Sequence, residues 1–163
     1  PAGASGSYRM IRTDKRLRIN AALLLCVLTF IWGNSLLPGE VSGALSDWVK
    51  GILESLFAQG PDDGAPGGLL RKLAHFTEFT ALGMLLCWRF GMLGKGWKPA
   101  LLAGVTAACM DETIQMFVPL RGPAIKDVGI DTAGVILGIV LITLIHKNKI
   151  KHSKKLVHIL ELI

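Results

Sequence analysis

Charge-free runs recur along the chain at lengths that suit helices. The first is Ile19–Leu37, INAALLLCVLTFIWGNSLL, 19 residues without a charge. A hydrocarbon core about 30 Å thick needs about 20 helical residues, so this run predicts a membrane-spanning helix. A cleaved signal peptide is the rival reading, but its apolar region is usually shorter and ends in a small-residue cleavage site. Pro38-Gly39 is expected to stop the helix. Three more spans follow. Leu69–Phe90 carries His75 and Glu78 in its first half and is apolar in its second. Pro99–Val118 is apolar until Asp111, and Val128–Ile145 carries one charge, Asp131. A hydropathy window is expected to rank the first span highest. The pattern predicts an all-α chain, an integral membrane four-helix bundle.

The intervening segments have a different periodicity. In Val41–Gln59, the apolar residues Val41, Leu45, Trp48, Ile52 and Leu56 recur at three or four positions, while Asp47, Lys50 and Glu54 take the other side. This predicts an amphipathic helix lying on the membrane surface outside the cytoplasm. Gly60–Gly68, GPDDGAPGG, breaks the chain before the second span. Residues 1–9 (PAGASGSYR) precede the first methionine and read as a cloning remnant, and residues 10–18 form a basic lead. The membrane domain is expected over 19–147, and 148–163 as a basic amphipathic tail suited to anionic headgroups.

Composition strengthens the membrane reading. Of 163 residues, 51% are hydrophobic and 18% charged, against roughly 25% charged in an average soluble domain. Mean hydropathy is +0.48. The net charge of +6 would fit nucleic-acid binding, but its placement argues for topology instead. With a cytoplasmic N-terminus and four alternating spans, thirteen of the 18 Lys+Arg face the cytoplasm: Arg9, Arg12, Lys15, Arg16, Arg18, Arg89, Lys95, Lys98, Lys147, Lys149, Lys151, Lys154 and Lys155. Of the 12 acids, only Asp14 and Glu161 join them. This positive-inside bias predicts both termini in the cytoplasm and argues against nucleic acid as a partner.

That topology places the costly residues at one depth. At about 1.5 Å per residue, Glu78, Asp111, Glu112 and Asp131 fall roughly 6–12 Å below the outer surface. Ionisable groups in a membrane face the bundle interior or a water-filled cavity. His75 and Glu78 are i, i+3, and Asp111 and Gln115 are i, i+4 with Glu112 about 100° away. Asp127, Asp131, Gly134 and Gly138 form one stripe, whose glycines let another helix approach closely, as Gly83 and Gly104 do from the other spans. Arg121, in the outer loop between Pro119 and Pro123, is expected to be the cation nearest these acids. Three uses fit this chemistry. His75 and Glu78 are acid/base candidates for work on a headgroup whose anion Arg121 holds. The His/Asp/Glu set can take a divalent metal. The cluster can also be an inert, hydrogen-bonded plug.

Other residues carry less. Cys26, Cys87 and Cys109 lie in apolar runs without a CxxC and are expected to be buried free thiols. Trp32, Trp48, Trp88 and Trp97 read as an interfacial belt. His146, His152 and His158 read as solvated, and Asn20 and Asn34 as interfacial or helix-bonding residues. GxSxG, Walker and dinucleotide fingerprints are absent from the sequence.

Arg71–Gly83, RKLAHFTEFTALG, followed by Asp111–Gly138, DETIQMFVPLRGPAIKDVGIDTAGVILG, resembles the VanZ-like membrane proteins over about residues 70–145. The ordered elements are K-x-x-H-x-x-E, D-E-x-x-Q, an Arg after a Pro, and D-x-x-x-D-x-x-G-x-x-x-G. Carried over, the family's polar positions are Lys72, His75, Glu78, Asp111, Glu112, Gln115, Arg121, Asp127 and Asp131. Three positions depart from it: Ile114 where a His often precedes the Gln, Leu120 where a Gly often precedes the Arg, and Phe79 where Tyr is common. The resemblance implies an association with bacterial glycopeptide resistance, chiefly to lipid-tailed teicoplanin. Some members carry a phosphotransbutyrylase-like label, which an outward-facing cluster does not suit. The expected partners are membrane lipids and a glycopeptide antibiotic or a lipid-linked wall precursor. Lys72, Asp111, Glu112, Gln115, Arg121, Asp127 and Asp131 would bind it. An ion- or proton-coupled carrier and a structural assembly factor are the alternatives. The sequence assigns neither a cofactor nor a reaction.

Overall fold

A computed structural model describes the backbone of residues 2–38, 40, 41, 44, 47, 48, 51, 68–119 and 124–160. Side chains are described from 13 to 38, 71 to 119 and 124 to 149, at 151, and at the six isolated positions between 40 and 51. The described chain forms four long helices: α1 (Ala2–Ser35), α2 (Gly68–Met92), α3 (Lys98–Gln115) and α4 (Ile125–Leu160). Strands are absent among the described residues. Val41, Ala44, Asp47, Trp48 and Gly51 of the expected surface helix, and Glu40 just before it, are helical and exposed. The rest of that segment lies outside the described residues.

Helix ends follow local chemistry. α1 stops at Ser35, three residues before Pro38. α2 closes with Gly94 in the left-handed region (φ 72°), Gly94 N–H donating to Gly91 O at 3.1 Å and Lys95 N–H to Phe90 O at 2.9 Å. This is a Schellman arrangement, which only a glycine at Gly94 enters without strain. Pro99 then stands in the first turn of α3, where its missing N–H costs nothing. Three boundaries differ from the sequence pattern. α1 begins at Ala2, so the basic lead and the supposed remnant belong to one helix with the first span. α3 ends at Gln115 rather than Val118, with Met116–Val118 in tight turns. α4 runs unbroken through the basic segment to Leu160.

The most extensive helix pair is α2 with α4, and glycine explains why. A Cβ at Gly138 would lie on Thr80 O and 2.7 Å from Met84 N, and one at Gly83 would lie on Val135 O. From α3, a Cβ at Gly104 would meet the Val135 side chain. Val135, fully buried, is therefore the point where three helices meet over small residues. Phe79, Leu82, Ala100, Ala107, Ala108, Ile139 and Ile31 complete this core. On the opposite side of the molecule from the site described below, Asn20 Nδ2 donates to Leu85 O at 3.1 Å and Arg89 Nη1 to Leu17 O at 2.9 Å, fastening α1 to α2.

Burial runs opposite to that of a soluble domain. Leu102 and Leu25 are 71% and 68% exposed, whereas Asp111 and Asp131 are 0% and 2% exposed. An outward apolar coat around an inward polar group suits lipid as the surrounding medium. Among the described residues, two segments are long and apolar enough to cross a membrane: Thr13–Ser35, of hydropathy 1.5, and Ile125–Lys149, of hydropathy 2.3. The expected ranking is thus reversed, because the first segment includes the basic lead and two asparagines while the last is dense in Ile, Leu and Val from Val135 to Ile145. α2 and α3 do not qualify by composition: α2 carries Arg71, Lys72, Glu78 and Arg89, and α3 carries Lys98, Asp111 and Glu112. The thiols are free but not buried as expected. Cys26 and Cys109 are exposed on outer helix faces, and Cys87 is half-buried beside Thr143 Oγ1. Trp48 and Trp97 are exposed, while Trp32 packs against the core.

Candidate functional site

Antiparallel alternation brings the end of α1, the start of α2, the end of α3 and the start of α4 together. Two contacts mark this end of the bundle. Gln115, the last residue of α3, donates from Nε2 to Oγ of Ser35, the last residue of α1, at 3.3 Å. Arg71 in the first turn of α2 reaches Asp127 in the first turn of α4, with Nη2 and Oδ2 4.0 Å apart. The sequence-predicted polar residues gather between these two contacts.

His75 of α2 faces Asp111 of α3, with Nδ1 3.7 Å from Oδ2. The same Oδ2 accepts a 2.7 Å hydrogen bond from Gln115 Nε2. Gln115 thus directs both amide hydrogens at fixed acceptors, one on its own helix and one on α1, which locks the carboxylate it holds. Asp131 of α4 completes a triad: His75, Asp111 and Asp131 each offer a ligand-type atom within 4.8 Å of the other two. Asp131 also lies in the field of Asp127, Glu112 and Glu78.

The two remaining acids point elsewhere. Glu78, the proposed acid/base partner of His75, accepts a 3.2 Å bond from Asn34 Nδ2 of α1 at Oε1. His75 and Glu78 therefore share a helix but take different partners. Glu112, on the adjoining face of α3, accepts the backbone N–H of Ala124 at Oε1. It pins the residue that precedes α4, where an anion also meets the positive end of the helix. Asp127 lies in that first turn and benefits from the same field.

A cleft of about 10 Å³ opens here, lined by Arg71, Lys72, His75, Gln115, Asp127, Ile130 and Asp131. That space holds one water-sized particle. Lys72 is exposed at its rim. Among the described residues, Glu78 Oε2, Asp111 Oδ1 and Glu112 Oε2 are buried without a hydrogen-bond partner. Arg121 and Leu120 lie outside the described residues; among the described residues, the cation paired with an acid here is Arg71. Asn34 and Ser35 were also not assigned to the site from sequence. Their signal was present, since two polar residues end an apolar run at the depth of the acids. Of the positions that depart from the family pattern, Phe79 is a fully buried core residue and Ile114 is half-buried on α3.

Comparison with curated proteins finds no match, and comparison with solved structures finds none either. A model of the VanZ/LLP1 family matches residues 20–146, a stretch that contains every residue of the site from Asn34 to Asp131. Together with two helices of spanning length and composition, this points to a membrane protein. The chain belongs to the VanZ/LLP1 family.

Proposed function

We propose that this chain crosses the bacterial plasma membrane four times, with both termini in the cytoplasm, and that its polar end opens outward. There it binds the charged headgroup of a lipophilic cell-envelope ligand, of the glycopeptide-antibiotic or lipid-linked wall-precursor class. This fits the association of the family with glycopeptide resistance. The observation that carries the reading is the joining of cation and acid at one cleft. The space inside takes one water-sized group, so a headgroup meets the rim, where Arg71, Lys72 and Asp127 present both signs of charge. The apolar outer faces of α1 and α4 supply a path for a lipid tail beside it. Membrane lipids are the other partners.

An inert plug suits these residues less well. A structural polar network satisfies its members, whereas three carboxylate oxygens here are buried without partners among the described residues. An ion or proton carrier shares the buried acids but gives no role to exposed Lys72 at the rim.

The test uses a teicoplanin-susceptible bacterium expressing the chain. Lys72→Ala and Asp127→Asn should return teicoplanin susceptibility to that of cells without the protein, while the amount of protein in the membrane stays unchanged. Unaltered resistance in both variants would reject the headgroup reading. Proton or cation flux through ligand-free liposomes would move the assignment to a carrier. Sidedness is read separately: Asp127→Cys, with the native cysteines replaced, should react with an impermeant maleimide added outside intact cells.

A further inference from the structure

We propose that His75, Asp111 and Asp131 form a binding site for one divalent first-row metal ion that accepts imidazole beside carboxylate, Zn²⁺ foremost. The site stands whichever headgroup the cleft accepts.

Three helices contribute one donor residue each, so the site exists only in the folded bundle. The donor atoms lie within 4.8 Å of one another, and the one pair with a defined distance, His75 Nδ1 and Asp111 Oδ2, is 3.7 Å apart. Metal–nitrogen and metal–oxygen bonds of about 2.0–2.2 Å in a tetrahedron put donors about 3.3 Å apart. Side-chain movements that close each pair by at most about 1.5 Å bring the triad to that spacing. Charge points the same way. Asp111 and Asp131 are buried; of the cations lining the cleft, Arg71 is engaged with Asp127 and Lys72 is exposed at the rim. A dication between two carboxylates neutralises both, where an uncompensated pair in a low dielectric is costly.

The independent sign of a ligand is Asp111 Oδ1. Asp111 is 0% exposed, and this oxygen lacks a hydrogen-bond partner among the described residues. Its sister Oδ2 is held by Gln115, which is itself held by Ser35. Gln115 thus fixes the carboxylate through Oδ2, the atom that faces His75, and leaves buried Oδ1 as an unmet acceptor that a metal on this carboxylate would satisfy. The imidazole selects against Ca²⁺ and Mg²⁺, which take oxygen donors, and the absence of thiolate among the three donors selects against soft metals. Three protein donors leave a further coordination position. His75 is 13% exposed at its side chain and lines the cleft beneath Arg71 and Lys72. The vacant position therefore faces a cationic rim, which suits an anionic oxygen such as that of phosphate or carboxylate.

The test uses full-length protein in detergent with any affinity tag removed. His146, His152 and His158 are replaced by Gln so that His75 is the remaining imidazole. After chelator stripping, Zn²⁺, Mn²⁺ and Co²⁺ are added separately. We expect one metal per chain, a raised Tm, and a Co²⁺ visible spectrum showing nitrogen–oxygen coordination. Asp131→Asn and His75→Ala should weaken binding by more than about 100-fold, beyond the 10–100-fold expected of an outer partner such as Gln115→Leu. Asp14→Asn, at an exposed position on α1 outside the cleft, should bind as the parent does. Should a variant fail to fold, X-ray absorption of the parent with Zn²⁺ decides, by the presence or absence of one imidazole in the shell. Failure to bind any of the three metals stoichiometrically, a shell without imidazole, or undiminished binding in folded Asp131→Asn would overturn the proposal. Metal binding with unaltered teicoplanin susceptibility in Lys72→Ala and Asp127→Asn would retain the metal site and reject the headgroup.

Discussion

Adding one methyl group where α2 meets α4 tests the packing on which the site depends. At Gly138 the new Cβ would lie 2.7 Å from Met84 N and closer still to Thr80 O, where ordinary contact begins at 3.4 Å. Both obstacles are backbone atoms, so no side chain can swing aside. The two helices must separate by about 0.7 Å or more, and overpacking of this kind costs about 1–3 kcal/mol. At about 2–4 °C per kcal/mol for a chain of this size, Gly138→Ala should lower the Tm by several degrees. Gly134→Ala acts one turn nearer the site. Its Cβ would meet Phe76 O and come within 3.2 Å of Thr80 N and the Phe79 Cβ. Phe76 follows His75 and Gly134 lies one turn from Asp131, so this wedge pushes apart two members of the triad. Gly129→Ala is the control. It is on the same helix, with nothing within 4 Å of its Cβ. It should be neutral or stabilising by about 0.5–1 kcal/mol, the helical preference of alanine over glycine. Thermal unfolding of the three purified variants, followed by circular dichroism, gives the comparison. If Gly134→Ala and Gly138→Ala melt with Gly129→Ala, the helices are not in backbone contact and the argument for the site's geometry fails with it.

Asn34→Leu should leave Glu78 without its donor from α1 and cost roughly 0.6 and at most about 1.7 kcal/mol, the range for interhelical bonds in membranes, read as a Tm shift. Gln115→Leu removes both the Asp111 and Ser35 bonds and should cost more than Ser35→Ala, which removes one of them; equal melting points would show that the Asp111 bond is not formed. Arg71→Ala should change stability little, since a 4.0 Å partly exposed pair is worth about 0–1 kcal/mol, yet should alter teicoplanin susceptibility. Spin labels at Cys26 and Cys109 should be relaxed by oxygen and shielded from a water-soluble nickel chelate in bilayers; the reverse would place those faces in water.

Much of this arrangement can be read from the residues, and the failures have physical causes. Gly134 and Gly138 announce the α2–α4 contact because a one-turn glycine stripe has few other uses in an apolar helix. His75, Asp111, Gln115 and Asp131 announce the cluster because a polar residue in an apolar run requires an inward face. Helix limits are less legible. Val118 looked like part of α3, but hydropathy does not register that the chain leaves the helix after Gln115 in tight turns. Residues 10–18 read as a basic lead ahead of the span, although nothing in them stops a helix that runs into the apolar segment. The cysteines misled because "apolar segment" was equated with "buried in protein". In lipid the two differ, and Cys26 and Cys109 face outward.

Partner choice was the least legible feature, and it alters the chemistry of the site. Spacing alone put His75 with Glu78 as an acid/base pair, because i, i+3 residues share a helix face. In three dimensions Asn34 takes Glu78, Asp111 takes His75, and Ala124 takes Glu112. The acids thereby divide into three kinds of work. Glu78 ties α1 to α2, Glu112 ties α3 to the start of α4, and Asp111 with Asp131 converges on the imidazole. The first two fasten the helices around the third. Helical periodicity ranks neighbours along one helix, whereas a site drawn from four helix ends is decided by which ends meet. Here that is set by the glycines of the core, which run from Gly138 to Gly134, one turn from Asp131.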